Sequence, residues 1–379
     1  MCLHFWLTLF VTIVGCTLPM YLLGMWMSLR QLIIRPYNWR KLVGSLPEEG
    51  KSSGPIGRRR TVVITGGTGG LGREVVHLIH STEPGAHILV GGEVRKNGQS
   101  MEEGRQLLDW LKSCCICSTL SDSCTSSQPG GGCSAPVCFY PLDLGNFTSI
   151  LQFARYVQRR CTGHCLDALI LGAGILGGPS CRLAASGFEK QWSVNFLGQL
   201  KLVLCLQDRF IPTSSSYGST KIITISSCAL WLGRLDNLSL AVKGTTGDYN
   251  SYACYAGSKL ALPLFLGHLA SQPLQKCDTS APTFNLVSLH PGILATGLYD
   301  QAPALIRWLL RIAGRLGLLR STRNAALLVA TLLLEDSGFE TYRGGYLEEG
   351  TWYRLSELPG AELVADLWQP TLAILGHEE

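Results

Sequence analysis

The chain has 379 residues, 46% of them hydrophobic, with a formal net charge of +5 spread along its length. That is ample for one large α/β unit with an extension and leaves no footprint for a nucleic-acid partner, and no internal repeat is seen along the chain. From Phe5 to Leu29 there is no Asp, Glu, Lys or Arg, a run of 25 residues that exceeds the ~20 needed to cross a bilayer as a helix. Residues 1–30 are therefore expected to form one N-terminal transmembrane anchor. A cleaved signal peptide competes, but it would carry a cationic leading region and a shorter apolar core of ~7–15 residues. Arg30, Arg35, Arg40, Lys41 and Arg58 to Arg60 follow the run, so the rest of the chain is expected on the cytosolic side. Residues 31–59 read as a basic juxtamembrane linker, polar from Pro47 to Gly57.

The segment TVVITGGTGGLGREVVHLI predicts a strand from Thr61 to Ile64, a glycine turn, then a helix bearing Val75, Val76 and Ile79. Glycines at 66, 70 and 72 let the backbone turn sharply and approach a pyrophosphate, while the helix N-terminus supplies N–H groups and partial positive charge. A dinucleotide suits that turn. The second strand, HILVGG, is followed by Glu93, 21 positions after Gly72. An acid there accepts from a ribose 2′-hydroxyl and repels a 2′-phosphate, which favours NAD. Arg73, Arg95 and Lys96 are near enough in sequence to meet a 2′-phosphate, so NADP stays open.

Residues 111–138 read as a loop insertion holding six of the 15 cysteines. Its one Cys-x-x-Cys element, Cys114 to Cys117, has no second element and no histidine to complete a zinc site, so no metal is expected and reduced thiols are the better reading. Further on, KIITISSCAL predicts a buried parallel strand ending at Ser226-Ser227, where such sheets present ligands. In SYACYAGSKLALPLF, Tyr255 and Lys259 lie one helical turn apart on the same face. A phenol with a pKa of about 10 is a poor base at neutral pH, and a nearby ammonium is expected to lower that value. No other tyrosine of the neighbourhood has this lysine: Tyr249 and Tyr252 have alanines four residues later.

The order of these pieces resembles the short-chain dehydrogenase/reductase family over about residues 60 to 350, which implies a Rossmann-type doubly wound parallel sheet. The resemblance implies that Ser227 polarises the substrate oxygen, that Tyr255 is the acid/base, that Lys259 lowers the tyrosine pKa and holds the nicotinamide ribose, and that Asn195 anchors a proton-relay water. It also implies cofactor contacts from Thr65, Gly66, Gly70, Leu71, Gly72, Glu93, Asp143, Leu144, Ala173 and Gly174. In NLVSLHPGILATGLY, Pro291, Gly292, Ile293 and Thr296 match the family's Pro-Gly turn at the nicotinamide carboxamide. The chain departs from the family where Asn-Asn-Ala-Gly is usual, having Leu171-Gly172-Ala173-Gly174.

Within the family, the segments around Ser227 and Tyr255 look like the retinol dehydrogenase-like branch, and more closely the X-linked type that acts on polyprenol and dolichal. The resemblance implies NAD(P)-dependent interconversion of a hydrophobic lipid alcohol and its aldehyde or ketone, with the protein held in the endoplasmic reticulum membrane or on a lipid droplet. A steroid or xenobiotic carbonyl substrate, a catalytically weak nucleotide-binding scaffold, and a homodimer are left open. ALIRWLLRIAGRLGLLR predicts an amphipathic helix with a stripe of Arg307, Arg311 and Arg315, either packed with solvated arginines or lying on membrane lipid. Residues 351–379 read as a C-terminal extension packed on the domain.

Overall fold

Strand β1 (Thr61–Thr65) is buried along its whole length and pairs in parallel with β2 (His87–Gly92) on one side and β4 (Ala168–Leu171) on the other. The computed structural model describes residues 59–92, 99–114, 136–161, 166–178, 180–211, 219–236, 238, 243, 249–272, 284–300, 304–317 and 319–376. The expected anchor at 1–30, nearly all of the linker, Glu93, Arg95, Lys96 and most of the cysteine-rich insertion lie outside these residues. Among the described residues no helix is long and apolar enough to cross a membrane.

Helix α1 (Gly70–Thr82) follows β1, α2 (Gln99–Cys114) follows β2, and β3 (Val137–Pro141) leads to α3 (Phe147–Arg160). The loop expected over 111–138 is shorter at both ends: residues 111–114 complete α2, and Val137 and Cys138 pair with Ile88 and Leu89. Burial in a parallel sheet absorbs Cys138, which counts there as a small hydrophobe. After β4, α4 (Lys190–Trp192), a π-turn (Ser193–Leu197) and α5 (Gly198–Leu206) run on as one helical segment. Then come β5 (Lys221–Ile225), the long α6 (Ser251–Ser271), β6 (Asn285–Leu289), α7 (Ala304–Arg315), α8 (Thr322–Leu334), α9 (Asp336–Tyr342), β7 (Gly345–Glu348), β8 (Thr351–Arg354) and α10 (Val364–Ile374).

The sheet order is β3-β2-β1-β4-β5-β6-β7-β8. The first seven strands are parallel; only β8, returning by a tight turn, runs antiparallel to β7. Helices cover both faces: α1 and α8 pack on a core containing Val62, Ile64, Val75 and Val329, and α3, α5 and α6 pack on one containing Phe153, Leu200 and Phe265. This double cover explains why the central strands are continuous apolar runs and why α6 is apolar on nearly every side. On the far side of α6, Trp368 of α10 lies 6.0 Å from the Phe265 ring, between centroids. Strand order reverses between β1 and β4, so the carboxyl ends of β1, β4 and β5 open a crevice there.

Candidate active site

The crevice floor is the glycine turn. Gly66 takes the left-handed conformation at φ +71°, and a Cβ on it would lie 2.8 Å from the Ala173 backbone. A Cβ on Gly72 would sit 2.3 Å from the Gly66 carbonyl oxygen, and one on Gly70 2.9 Å from the Thr296 methyl. Gly69 begins α1 without a side-chain cap, so the helix presents N–H groups that a phosphate can meet. These close approaches form a cradle that side chains would fill, which is the shape a pyrophosphate requires.

Behind the turn, the Thr65 hydroxyl accepts from the Ala173 amide at 3.2 Å and donates to Gln199 Oε1 at 3.2 Å, while Gln199 Nε2 donates to the Ala173 carbonyl at 3.0 Å. A buried triangle thus joins β1, the loop after β4, and α5.

Ser227 follows β5 directly. It caps the 3-10 turn Cys228–Leu232, its hydroxyl accepting from the Ala229 amide at 3.2 Å. Tyr255 lies in α6, which Asn250 starts by accepting from the Tyr252 and Ala253 amides. The Ser227 hydroxyl stands beside the Tyr255 phenol, near enough to favour its ionised form. One turn on, Lys259 Nζ donates to the Ile225 carbonyl at 2.9 Å and stands 5.9 Å from the Tyr255 ring centre. Asn195 sits in the π-turn. Its Oδ1 accepts from the Ile175 amide at 2.8 Å, and its Nδ2 donates to the Ile175 carbonyl and to Ser258 Oγ, each at 3.0 Å. Lys259 and Asn195 converge on Gly174, where a Cβ would lie 2.7 Å from Nζ and 3.4 Å from Oδ1. A π-turn in an otherwise α-helical segment turns Asn195 out of its helical register and toward this point.

The electrostatics correct one expectation. Burial pushes the Tyr255 phenol above its ordinary value, with the Ser227 hydroxyl pulling the other way, and Lys259 is not among the causes. Desolvation pushes the Lys259 ammonium down to about 8. The protein alone therefore holds Tyr255 protonated: burial favours the neutral phenol, and the lysine is aimed at a backbone carbonyl, not at the phenol.

The remaining expected residues are placed unevenly. Ala173 and Thr296 lie against the glycine turn, Gly174 against Lys259 and Asn195, Ile293 packs with Cys228, and Pro291 and Gly292 lie against Arg320. The Asp143 carboxylate accepts from the Gly145 amide at 2.8 Å at the end of β3. Leu144 turns its side chain into the core and Leu71 packs partly against the α1–α8 core, so neither side chain is directed at the crevice. Arg73 stacks its guanidinium 4.1 Å from the Trp110 ring centre. A Cβ on Gly92, the last residue of β2, would lie 3.1 Å from the Thr68 hydroxyl.

Sequence reasoning missed the wall around Tyr255. Leu176, Ala229 and Ala256 pack on it, with Tyr252, Leu298 and Tyr299 partly buried alongside. Leu298 and Tyr299 follow Thr296 in the same Pro-Gly segment, and that adjacency was the available signal. The wall is apolar, and burial raises the Tyr299 phenol as it does that of Tyr255.

No protein-family model matches the chain. It is 30% identical over 257 residues to human polyprenol dehydrogenase, covering 68% of this chain and 66% of that protein. It is 29% identical over 276 residues to human retinol dehydrogenase 14, covering 71% and 73% of the two chains. An NADPH-bound carbonyl reductase from chicken fatty liver shares the fold, with a TM-score of 0.52 at 20% identity over 78% of this chain and 99% of that one. Crevice, motif order and relatives agree: the chain belongs to the short-chain dehydrogenase/reductase family.

Proposed function

We propose that this protein is a nicotinamide-dependent oxidoreductase that interconverts a hydrophobic lipid alcohol, of polyprenol or retinol type, and its aldehyde or ketone. The observation that carries the reading is the Ser227–Tyr255 hydroxyl pair at the crevice, with Lys259 one turn behind. A bound nicotinamide supplies or accepts the hydride. The protein does the rest. Ser227 holds the reacting oxygen, and the Tyr255 phenol, kept protonated by burial, gives its proton to that oxygen in reduction; in oxidation the phenol must first release its proton to solvent, and the phenolate then takes the proton of the alcohol. Lys259 offers its ammonium to ribose hydroxyls, and Asn195 fixes the Ile175 backbone beside it. The apolar wall of Leu176, Leu298 and Tyr299 excludes water and suits an isoprenoid or retinoid chain.

For the cofactor, the place of Glu93 after β2 favours NAD. The stacking of Arg73 on Trp110 supports the same preference, because it draws one cation toward an aromatic partner. Residues 60–350 form the catalytic unit in this reading, and the apolar run at 1–30 anchors it to a membrane with the site facing the cytosol. Helix α7 agrees with such a setting. Arg307, Arg311 and Arg315 are exposed, as are Trp308 and Leu316, while Leu310 and Ala313 pack toward Cys228 and Ile293.

The test is reduction of NAD and of NADP by detergent-purified protein given polyprenol, retinol, steroid and short-chain alcohols, with Tyr255→Phe as control. Turnover with a lipid alcohol that disappears in the variant supports the reading. Equal turnover in the variant, or none in folded wild-type protein, overturns it.

A further inference from the structure

The segment from Pro291 to Tyr299 forms one wall of the crevice. Near its start Ile293 packs with Cys228, next to Ser227; further along Thr296 lies over the glycine turn; at its end Leu298 and Tyr299 pack on Tyr255. A group seated between the phosphate cradle and the Tyr255 phenol must touch this wall. The wall is irregular backbone, so something has to fix its shape.

Arg320 does so. It lies just before α8, buried, and reaches the wall three ways. Its amide donates to the Ile293 carbonyl at 3.1 Å, its Nη1 donates to the Pro291 carbonyl at 3.0 Å, and its guanidinium lies against Gly292. Gly292 has φ +89°, and a Cβ there would lie 2.7 Å from Nη1 and 2.9 Å from Cζ, so only glycine admits the contact. The guanidinium is held in turn by Glu349, whose carboxylate accepts from Nη2 at 2.5 Å with both side chains almost wholly buried. Glu349 stands at the tip of the β7–β8 turn. It is the one non-glycine among the described residues with positive φ, +48°, a conformation a side chain disfavours and that persists when surroundings impose it. Turn, guanidinium and wall are thus one buried assembly that joins the sheet edge to the crevice.

We infer that Arg320, locked by Glu349, is the positioning residue for the nicotinamide half of the cofactor, setting the Pro291–Tyr299 wall against which that ring rests. This deepens the proposed function and rests on its reading of the crevice as a nicotinamide site. The adenosine half would be held beyond the glycine turn, by the carboxyl ends of β2 and β3, which the Arg320 contacts do not include. The two halves of the cofactor therefore respond differently to its loss.

The experiment measures dissociation constants of NADH and of ADP-ribose, which lacks the nicotinamide, on full-length purified protein and on Arg320→Met, Arg320→Lys and Glu349→Gln, together with their melting temperatures. Glu349→Gln keeps the shape of the turn, so it reports even where Arg320→Met does not fold. The expected result is NADH binding weakened about tenfold or more in Arg320→Met and Glu349→Gln, ADP-ribose binding unchanged, and partial recovery in Arg320→Lys. Loss of both ligands in parallel with melting temperature would make the pair a stabilising element only, and unchanged NADH binding would remove its role altogether; either overturns the inference. Failure of the wild-type protein to bind NADH would instead overturn the nicotinamide reading, and the inference with it.

Discussion

Gln199 and Thr65, 134 positions apart in the chain, share a buried hydrogen bond of 3.2 Å, and both hold the backbone of Ala173. This contact sits where the chain has Leu171-Gly172 in place of the family's usual two asparagines. Gln199 supplies from α5 a side-chain amide to the crossing of β1 and β4, where the strand itself brings only a leucine and a glycine.

Gln199→Leu therefore leaves the Ala173 carbonyl and the Thr65 hydroxyl short of partners. An unsatisfied buried polar group costs about 1–3 kcal/mol, and the loop carrying Ala173 and Gly174 loses its fixed position against Gly66. Urea unfolding is expected to show that loss, with weaker NADH binding in the protein that remains folded. A variant as stable as wild type, with unchanged affinity, would show that the triangle is incidental.

Lys259 predicts a pH dependence. Its ammonium is pushed down to about 8 by burial, and a ribose hydroxyl is best held by the charged form. Affinity for NADH is then full below about pH 7 and falls as pH rises through the free-protein value, to roughly a tenth at pH 9 if only the ammonium binds. Folding responds with the opposite sense. The folded value is below the unfolded one, so the unfolded chain binds more protons between about 8 and 10.5, and this group's contribution to stability improves across that window. Titration calorimetry between pH 6.5 and 9.5 checks the first effect, and Lys259→Met should flatten it.

The legible part of the molecule was what short segments encode by themselves. The strand-turn-helix around Gly66 announces itself because only glycines permit its close approaches, and Tyr255 and Lys259 are paired by helical spacing alone. The Lys259 effect on the phenol was misjudged because spacing gives proximity but not aim: Nζ points at the Ile225 carbonyl. The Gln199 triangle and the Arg320–Glu349 pair could not be read, since each joins residues from separate elements that only the folded sheet brings together. Tyr299 belongs to the Pro-Gly segment, but its contact with Tyr255 depends on how that segment folds back.

Gly174 predicts a separable defect. A methyl there would press on Lys259 Nζ at 2.7 Å and approach Asn195 Oδ1 at 3.4 Å. The lysine must move off the Ile225 carbonyl, while Asn195 keeps its bonds to Ile175 with a small adjustment. Gly174→Ala is expected to lose turnover by about tenfold or more, equivalent to about 1.4 kcal/mol in the barrier, with a far smaller change in melting temperature. Wild-type turnover in this variant would show that the position of Lys259 is not limiting.

Helix α7 connects the outer surface to the site. Its inner residues Leu310 and Ala313 pack toward Cys228 and Ile293, and its outer face carries three exposed arginines with Trp308 between the first two. A bilayer containing acidic lipid attracts such a face with about 1 kcal/mol per basic residue near its surface. Replacing Arg307, Arg311 and Arg315 by glutamine should raise KM for a lipid alcohol carried in acidic liposomes, by up to about a hundredfold if the three contributions add. In neutral liposomes, and with a short soluble alcohol, the same variant should stay near wild type, because only Arg307 reaches the end of the crevice wall, through an exposed bond of 3.3 Å to the Asp300 carbonyl. A KM rise of equal size with the soluble alcohol would mean that the arginines shape the site itself, and no rise in acidic liposomes would leave α7 as a packed surface helix with solvated charges.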